Sequence, residues 1–563
     1  MANGKKAESV SYSIGVDFGT ASARMVILDL NSGEELAIAV VEYPHGVMDK
    51  TLYPTEEMLP PDWALQDPMD YLQVLDEGVP TVIAAAGIPA EEVVGLGIDF
   101  TACTVLPATE DGAALCTLAA WREHPHAWPK LWKHHAAQDW ADRMTAVAEA
   151  RHEAFLSRYG GRISSEWYFP KLLEIFAEDR PVYDAMRWFV EATDWVVWRL
   201  TGQLRRNACT AGYKALWSPD EGLPPADYFA AVRPDFDDPA AKLGTTFYPL
   251  GTAAGDLLPE YADRWGLSHR VAVAVGNVDA HVSVPGAGVS EPGALVMVIG
   301  TSICHLTVAE EEVSVPGMTG VVRDGILPGW YGYEAGQVAV GDMYAWFVDT
   351  MVPAAYAHAA QEAGCSLYEY LEQLATPLRP GQTGMIALDW WNGNRSILGD
   401  ADLTGVWVGL HLNARPEALY RSLLESTAFG TRVIVDAFQE RGVDLREIVA
   451  CGGIAHKSPL LMQLYADICQ LPVTVRASEE IPARGAALFG AVAAGRQRGG
   501  FETMTEASAA LASPARHTYY PRAEMQPPYD AVYQVYRQVY QVFGQSQPQW
   551  LHTLKHLRRE ALS

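Results

Sequence analysis

Residues 13–24, SIGVDFGTASAR, decide the fold at the start of this chain. The apolar run 14–17 ends at an aspartate and is followed by a tight turn at 18–20, which predicts a buried strand leading into a β-hairpin. Further strands are predicted at 23–30 and 36–43, separated by a second turn. Three successive strands that open a domain favour a mixed α/β sheet over a helical bundle.

The same pattern returns in the second half of the chain. Residues 298–302, VIGTS, form another apolar strand that ends in Gly-Thr, about half of the chain length after the first. This repetition predicts two related α/β domains, residues 1–290 and 291–563, with the boundary within 286–293.

The charge of the chain limits its partners. With 41 Lys and Arg against 69 Asp and Glu, the 563 residues carry a formal net charge of −28. Binding to duplex DNA or to an anionic membrane relies on cationic contacts to phosphates, so neither is expected. A small phosphorylated ligand needs only a local electropositive pocket and stays compatible with this charge.

The cysteines and the start of the chain predict a cytoplasmic protein. The seven cysteines are widely spaced, odd in number and without a C-x-x-C pair, which indicates buried thiols in a reducing compartment. Residues 1–11 are polar and lack the apolar run of a secretory signal. The sequence also lacks an apolar run of about 18 residues that would predict a membrane span.

A phosphate site in this chain would have to be formed by residues other than the familiar phosphate-binding motifs. The sequence contains neither G-x-x-x-x-G-K-[ST] nor G-x-G-x-x-G after a strand. The turn at Gly19 and Thr20 is a candidate, because backbone N–H groups and a hydroxyl in a tight turn bind phosphate. Asp17 at the strand end suits Mg²⁺, directly or through water, and Arg24 adds a positive charge. The alternative is a plain hairpin with polar turn residues.

The second Gly-Thr turn and the segment before it carry further candidates. Gly300 and Thr301 offer the same chemistry as the first hairpin, with the same alternative. Asp279, at a strand-to-helix junction, is suited to take a proton from a sugar hydroxyl as a general base, or is an ordinary helix N-cap. His281 is interpreted as a packing or surface histidine, or as a group that tunes this base.

A glycine pair follows the predicted strand 448–450. Gly452 and Gly453 would let a flat ring approach the backbone, and a tight turn is the alternative. Ser458 and Pro459 then predict the start of a helix, because serine is a good N-cap and proline suits the first helical position.

Two later segments predict helices. The small residues of 485–494 suit a closely packed helix, and 529–543 carries an apolar stripe at helical spacing. For the stripe, the two interpretations are a helix docked on its own domain and a contact between the subunits of a homodimer.

Taken in order, these features resemble the FGGY carbohydrate kinases of the actin–hexokinase–chaperone superfamily. The resemblance covers about 13–495 and implies two ribonuclease-H-like domains with ATP and sugar in the cleft between them. Within the family, the chain is most similar to the members that phosphorylate L-ribulose, on segments at 164–167, 211–217, 298–302, 334–337, 341–347 and 388–393.

The resemblance implies roles for the candidate residues around ATP. Asp279 matches the catalytic base, and Asp17 matches the aspartate near Mg²⁺. The phosphate-contacting positions are matched by Gly19, Thr20, Arg24, Gly300 and Thr301, and the adenosine side by Gly452, Gly453 and Ser458.

The resemblance also implies a sugar site and a reaction. Ala102, Lys214 and Glu334 resemble the sugar contacts, with Asp279 beside them. The implied activity is ATP-dependent phosphorylation of L-ribulose at its C5 hydroxyl to L-ribulose 5-phosphate, in L-arabinose breakdown. Two alternatives stay open at this point: another FGGY kinase, acting on D-ribulose, ribitol or xylulose, and a non-catalytic actin-like protein that binds nucleotide to switch shape.

Overall fold

Two β-sheets organise the chain. The computed structural model of the protein describes residues 10–236 and 238–562, so most of the polar segment 1–11 lies outside the described residues. Within these ranges the strands are β1 (Tyr12–Phe18), β2 (Ser22–Asp29), β3 (Glu35–Glu42), β4 (Thr51–Leu52), β5 (Glu57–Met58), β6 (Val93–Phe100), β7 (Val105–Ala108), β8 (Trp188–Glu191), β9 (Arg206–Asn207), β10 (Phe247–Tyr248), β11 (Ala253–Asp256), β12 (Ala272–Ala274), β13 (Asn277–Val278), β14 (Gly293–Ile299), β15 (Ile303–Ala309), β16 (Gly320–Arg323), β17 (Tyr331–Gln337), β18 (Ile386–Leu388), β19 (Val406–Val408), β20 (Leu445–Cys451), β21 (Val473–Arg476) and β22 (Ala515–Tyr519).

The helices surround these sheets. They are α1 (Pro68–Ala86), α2 (Gln138–Arg151), α3 (Tyr168–Glu178), α4 (Arg180–Ala185), α5 (Ala192–Thr201), α6 (Ala208–Lys214), α7 (Ala226–Val232), α8 (Pro259–Trp265), α9 (Asp279–Gly286), α10 (Gly341–Met351), α11 (Ala354–Ala363), α12 (Leu367–Ala375), α13 (Pro416–Gln439), α14 (Gly453–Lys457), α15 (Pro459–Cys469), α16 (Ile481–Ala494), α17 (Met504–Ala510), α18 (Gln526–Gln541) and α19 (Gln549–Leu562). None of the helices in the described part of the chain combines the length and apolar character needed to cross a bilayer.

The two large sheets repeat one topology. The first has the order β3-β2-β1-β6-β12-β11, with β13 also paired to β6, and the second has β17-β15-β14-β20-β21-β22, with β16 beyond β17. In each, an antiparallel three-stranded meander continues into two parallel strands and one antiparallel strand. The prediction of two α/β domains of related fold is confirmed, and the predicted boundary at 290/291 falls between α9 and β14.

The predicted hairpins form as expected from their patterns. Every residue of β1 is buried. A continuous apolar run is typical of a strand that lies between two other strands and is covered on both faces. The turns that close β1–β2 and β14–β15 lie at the ends where β6 and β20, their parallel neighbours, also end. Polar residues at these strand ends are therefore brought to one edge of each sheet.

The small-residue helix α16 packs directly on the first sheet. An ideal Cβ on Gly15 would lie 1.7 Å from the Ala483 carbonyl oxygen, and one on Gly97 would lie 1.8 Å from that of Ala486. Ser13 Oγ donates to the Ala487 carbonyl at 2.7 Å. The second half of the chain therefore returns to the first sheet, and the glycines on both sides permit the close approach.

Gly97→Ala is expected to destabilise the protein by more than about 3 kcal/mol, because backbone must move to admit the methyl group. Denaturant unfolding measures this. Gly87→Ala is the matched control. Gly87 lies at the left-handed C-cap of α1 with open space around it, so its replacement should lower the free energy of unfolding by about 1 kcal/mol. Equal losses in the two variants would contradict the packing argument.

The aromatic stripe of α18 faces its own half of the chain. Tyr529, Tyr533, Tyr536 and Tyr540 are buried in the core that also contains the second sheet. The structure thus supports the interpretation of a helix docked on its own domain.

Candidate active site

The first hairpin turn presents free backbone amides. The carbonyls of Gly19 and Thr20 accept hydrogen bonds from Tyr43 Oη and Gln66 Nε2, both at 2.8 Å. In the described part of the chain, no group accepts a hydrogen bond from the amides of Thr20 or Ala21. The two carbonyl oxygens are thus hydrogen-bonded within the protein, whereas the N–H groups remain available. This is the arrangement that binds an anion.

The second hairpin turn has the same arrangement, and its carbonyls accept hydrogen bonds from amides at the start of α10. The Gly341 amide donates to the Gly300 carbonyl at 3.2 Å, and the Val340 amide donates to the Thr301 carbonyl at 2.9 Å. The amides of Thr301 and Ser302 donate to none of the described residues. Both predicted phosphate turns therefore expose N–H groups.

The glycine pair lies against the second turn. Gly452 has φ +92°, and an ideal Cβ on it would lie 2.4 Å from the Ile299 carbonyl oxygen. Only glycine combines this left-handed conformation with so close a contact. Gly453 has open space around the position of a Cβ.

Ser458 has the predicted capping role. Its Oγ accepts from the Leu461 amide at 3.3 Å, and Pro459 is the first residue of α15. The hydroxyl also donates to Glu372 Oε1 at 3.1 Å. Both hydrogen-bonding functions of Ser458 are thus used within the protein, and the residue positions the helix that follows the glycine pair.

Three aspartates meet at the edge of the first sheet. Asp17 on β1 pairs in register with Asp99 on β6, and Asn277, two residues before Asp279, pairs with Asp99 from the other side. Burial raises the pKa of Asp17 and of Asp99, and the charges of Asp17 and Asp279 raise that of Asp99 further. Neither oxygen of Asp99 accepts a hydrogen bond from a described residue, although its side chain is fully buried.

Arg24 is the positive charge of this region. Its guanidinium lies 3.8 Å from Asp17 Oδ2 and 3.5 Å from Glu480 Oε2. Both distances exceed that of a good charge-assisted hydrogen bond. With 38% of its side chain exposed, Arg24 can turn toward a polyanion above the hairpin.

Asp279 keeps one carboxylate oxygen available. It is the first residue of α9, and its Oδ1 accepts from the Ala280 amide at 2.6 Å. Burial and the charge of Asp17 raise its pKa to about 7, while the Ala280 amide and Lys214 lower it. A half-buried carboxylate with such a pKa is well matched to proton transfer near neutral pH.

Lys214 and Glu334 form a buried ion pair between the two halves of the chain. Lys214 Nζ donates to Glu334 Oε2 at 3.0 Å and lies 3.3 Å from Oε1. Burial alone would raise the pKa of Glu334, but the Lys214 ammonium holds it well below its usual range. His281 Nε2 lies 3.3 Å from the same Oε2. His281 is therefore a buried neighbour of Glu334, and the interpretation of a surface histidine is wrong.

Tyr213 explains why Lys214 and Glu334 meet. Its ring occupies a slot on the β16–β17 hairpin, where ideal Cβ atoms on Gly320, Gly325 and Gly332 would lie 2.4–2.7 Å from the ring or its hydroxyl. The His281 ring also packs on the Tyr213 ring, with centroids 4.2 Å apart. The glycine slot thus docks α6 of the first half onto the second half.

Ala102 lies in a loop that a buried lysine supports. The next residue, Cys103, has φ +64°, and Lys171 Nζ donates to its carbonyl at 2.7 Å and to that of Leu131 at 2.8 Å. Ala102 packs against the hydrophobic cluster that contains Tyr213, the residue before Lys214.

Asp99 was not predicted as a site residue, although a signal for it exists. Residues 14–20 read IGVDFGT and residues 96–102 read LGIDFTA, so both parallel strands end in the same Gly-x-Asp-Phe pattern. Parallel strands in register place such residues side by side.

Comparisons with known proteins identify the family that this chain resembles. The family model described as "FGGY family of carbohydrate kinases, N-terminal domain" matches residues 12–286, and its C-terminal counterpart matches residues 295–494. The ribulokinase of Anoxybacillus flavithermus is 50% identical over 551 residues, which is 98% of each chain. The ribulokinase of Mycolicibacterium smegmatis is 45% identical over 539 residues, or 95% of each chain.

Solved structures show the same fold at lower sequence identity. The xylulose kinase of Rhodospirillum rubrum has a TM-score of 0.77 at 22% identity, over 97% of this chain and 100% of its own. The glycerol kinase of Plasmodium falciparum with ADP has a TM-score of 0.74 at 14% identity, over 94% of this chain and 98% of its own.

Proposed function

This chain belongs to the FGGY family of carbohydrate kinases, and from that premise we propose that it phosphorylates ribulose with ATP. The reaction that we propose is transfer to the C5 hydroxyl of L-ribulose, which gives L-ribulose 5-phosphate in L-arabinose catabolism. Full-length similarity to ribulokinases carries this choice of sugar. The protein is an enzyme, and a non-catalytic actin-like role finds no support in these findings.

Asp279 is the general base of this proposal. Its free oxygen accepts the proton of the terminal sugar hydroxyl as that hydroxyl attacks the γ-phosphorus of ATP. The bond from the γ-phosphorus to the β–γ bridging oxygen breaks, and ADP leaves. The Ala280 amide on the other oxygen, at 2.6 Å, fixes the orientation of the carboxylate. Orientation and proton removal together are what a sugar hydroxyl needs from a kinase site.

The two hairpins and the glycine pair would hold ATP. The free amides at 20–21 and 301–302 suit phosphate oxygens, with Arg24 and the hydroxyls of Thr20 and Thr301 beside them. Gly452 and Gly453 border the adenosine side, where Ser458 orients the helix that follows.

The aspartates at the sheet edge fit a divalent metal. Asp17 and Asp99 supply hard oxygen ligands, and Asp99 has no hydrogen-bond donor among the described residues. We propose that Asp17, with Asp99 beside it, holds Mg²⁺ there. When bound with ATP, Mg²⁺ neutralises charge that develops on the phosphates.

Lys214, Glu334 and Ala102 form the sugar side of the site. Lys214 donates to ketose oxygens and Glu334 accepts from hydroxyls. Because both groups are buried and polar, a sugar that lacks a hydroxyl or carbonyl oxygen opposite either of them is expected to bind less tightly.

A substrate panel tests the proposed function. ADP release is measured with L-ribulose, D-ribulose, xylulose and ribitol, and the phosphorylated product is identified by NMR. The highest kcat/KM is expected for L-ribulose, with phosphate at C5. A preference for xylulose or ribitol, or ATP turnover that does not depend on sugar, would refute the proposal.

His281→Phe is expected to raise the KM for L-ribulose about 10-fold, because Glu334 loses the polar contact of its Oε2 with His281 Nε2 at 3.3 Å. His281→Gln is the matched variant: it retains a donor near the same place and should stay within about threefold of wild type. Steady-state kinetics measures both, with the KM for ATP as the internal control. Equal effects of the two variants would mean that ring packing on Tyr213 matters, and not the contact with Glu334.

A further inference from the structure

The guanidinium of Arg395 has no hydrogen-bond acceptor among the residues that the structure describes. Its ion contact joins Nη2 to Glu166 Oε1 at 3.8 Å, which is too long for a hydrogen bond. The side chain is 26% exposed, so a bound ligand can reach its N–H groups. A cation with several unused donors is therefore available at this place.

Arg395 lies where the two halves of the chain face each other. It is located between β18 and β19 in the second half, whereas Glu166 precedes α3 in the first half. The Lys214–Glu334 ion pair also joins the two halves, from the end of α6 to β17. The guanidinium is thus directed toward the first half, across the cleft in which ATP and sugar are proposed to bind.

The stem of this arginine lies across β17 at Gly336. An ideal Cβ on Gly336 would lie 3.0 Å from Arg395 Cδ and 3.4 Å from its Nη1, so the glycine leaves the room that the arginine occupies. The adjoining backbone is held by two hydrogen bonds. The Ser396 amide donates to the Gly336 carbonyl at 3.2 Å, and the Gly336 amide donates to Ser396 Oγ at 3.1 Å. The guanidinium is therefore preorganised over this strand.

The strand register places Gly336 between the sugar side of the site and the second phosphate turn. Glu334 and Gly336 are two residues apart on β17, so their Cβ positions lie on the same face of the sheet, about 7 Å apart. Gly336 pairs with Cys304 on β15, and Ser302 of the turn is two residues before Cys304. The turn thus lies about 7 Å from Gly336 in the other direction. Arg395 covers the stretch between the two.

A phosphoryl group that moves from ATP to the sugar has to cross this stretch. The free amides of 301–302 suit phosphate oxygens, and Glu334 belongs to the sugar side of the proposed site. A guanidinium presents several N–H donors in one plane and binds phosphate oxygens in pairs. We propose that Arg395 donates hydrogen bonds to the non-bridging oxygens of the γ-phosphoryl group during its transfer, an inference that rests on the proposed kinase function.

Arg395 keeps its proton throughout this step. The C5 oxygen of the sugar forms a bond to the γ-phosphorus, the bond from that phosphorus to the β–γ bridging oxygen breaks, and the hydroxyl proton passes to Asp279. Negative charge is spread over the non-bridging oxygens during the transfer. A cation fixed beside them stabilises this state more than it strengthens the binding of either substrate.

Arg395→Met is expected to lower kcat for L-ribulose by about 10²- to 10³-fold, while the affinities for L-ribulose and ATP stay within about threefold of wild type. Single-turnover kinetics measures the loss, and calorimetric titration measures both affinities. Arg395→Lys retains the charge without the planar donor group, so its kcat should lie between the other two. If the methionine variant does not fold, the lysine variant decides the inference, and its kcat must then be at least about tenfold below wild type.

Chemical rescue separates a direct contact from a purely structural role. Methylguanidinium added to Arg395→Gly should restore part of the lost kcat in a saturable manner, because it supplies the missing donor group in the vacated space. Arg162→Met is the matched control. Arg162 is exposed, and its Cδ lies 3.8 Å from an ideal Cβ on Gly399, so this variant removes a positive charge beside the same loop. Its kcat should stay within about threefold of wild type.

The inference is overturned if Arg395→Met retains the wild-type kcat, or if it raises only the KM for L-ribulose, which would make Arg395 a sugar contact. A rise in the KM for ATP alone would make it a contact of bound nucleotide and would also overturn the inference. Failure of the proposed function is seen separately, in wild type. If wild type phosphorylates a different sugar of the panel, the choice of L-ribulose is wrong, and kcat of the same variants with that sugar decides the inference.

Discussion

Asp279→Asn is expected to lower kcat by about 10³- to 10⁴-fold while sugar and nucleotide still bind within about threefold of wild type. The amide keeps the size of the side chain and an oxygen for the Ala280 amide, but it does not take a proton from the sugar. Single-turnover kinetics measures the loss, and calorimetric titration with L-ribulose measures binding. Turnover close to wild type would remove Asp279 from the mechanism.

The pH profile provides an independent check of the same role. Burial and the Asp17 charge raise the pKa of Asp279 to about 7, and the base acts only when it is deprotonated. The kcat/KM for sugar should therefore be level above pH 7 and fall about tenfold per pH unit well below it. The residual activity of Asp279→Asn should lack this acidic limb. An unchanged limb in the variant would assign the titration to another group.

Lys214→Met is expected to reduce affinity for L-ribulose about 100-fold and to lower the free energy of unfolding by about 3–5 kcal/mol. It removes the Nζ that lies 3.0 Å from Glu334 Oε2 and leaves a buried carboxylate without its cation. Calorimetric titration and denaturant unfolding measure the two effects. Lys133→Met is the control, since Lys133 forms a surface pair at 3.8 Å with Asp49. Loss of this pair should lower the free energy of unfolding by less than about 1 kcal/mol.

The double variant Lys214→Met/Glu334→Leu separates stability from binding. Replacing both partners by apolar side chains removes the unpaired charge, so most of the lost stability should return. Affinity for the sugar should not return, because neither the donor nor the acceptor is restored. Recovery of both properties would show that the pair serves folding and not sugar binding.

Local patterns predicted the elements that carry the site. The apolar run before Asp17 and the one before Gly300 predicted hairpins, and both form. Ser458 and Pro459 predicted the start of α15, which begins there. Such features depend on residues that are close in sequence, so a single chain segment contains all the information.

The contacts between distant segments were not predictable in this way. Asp99 was missed because its importance comes from pairing with Asp17. That pairing depends on how strands from separate parts of the chain are packed.

The sequence by itself determined two repeated α/β domains, the Gly-Thr turns and the strand-end aspartates, because periodicity and turn chemistry act over a few residues. The tertiary structure alone decided that Lys214 pairs with Glu334, 120 residues further along the chain. The physical reason is the docking of Tyr213 into its glycine slot. The three glycines of this slot are separated in sequence, so the slot exists only after the second sheet has folded. Tyr213 of the first half enters it only in the assembled protein.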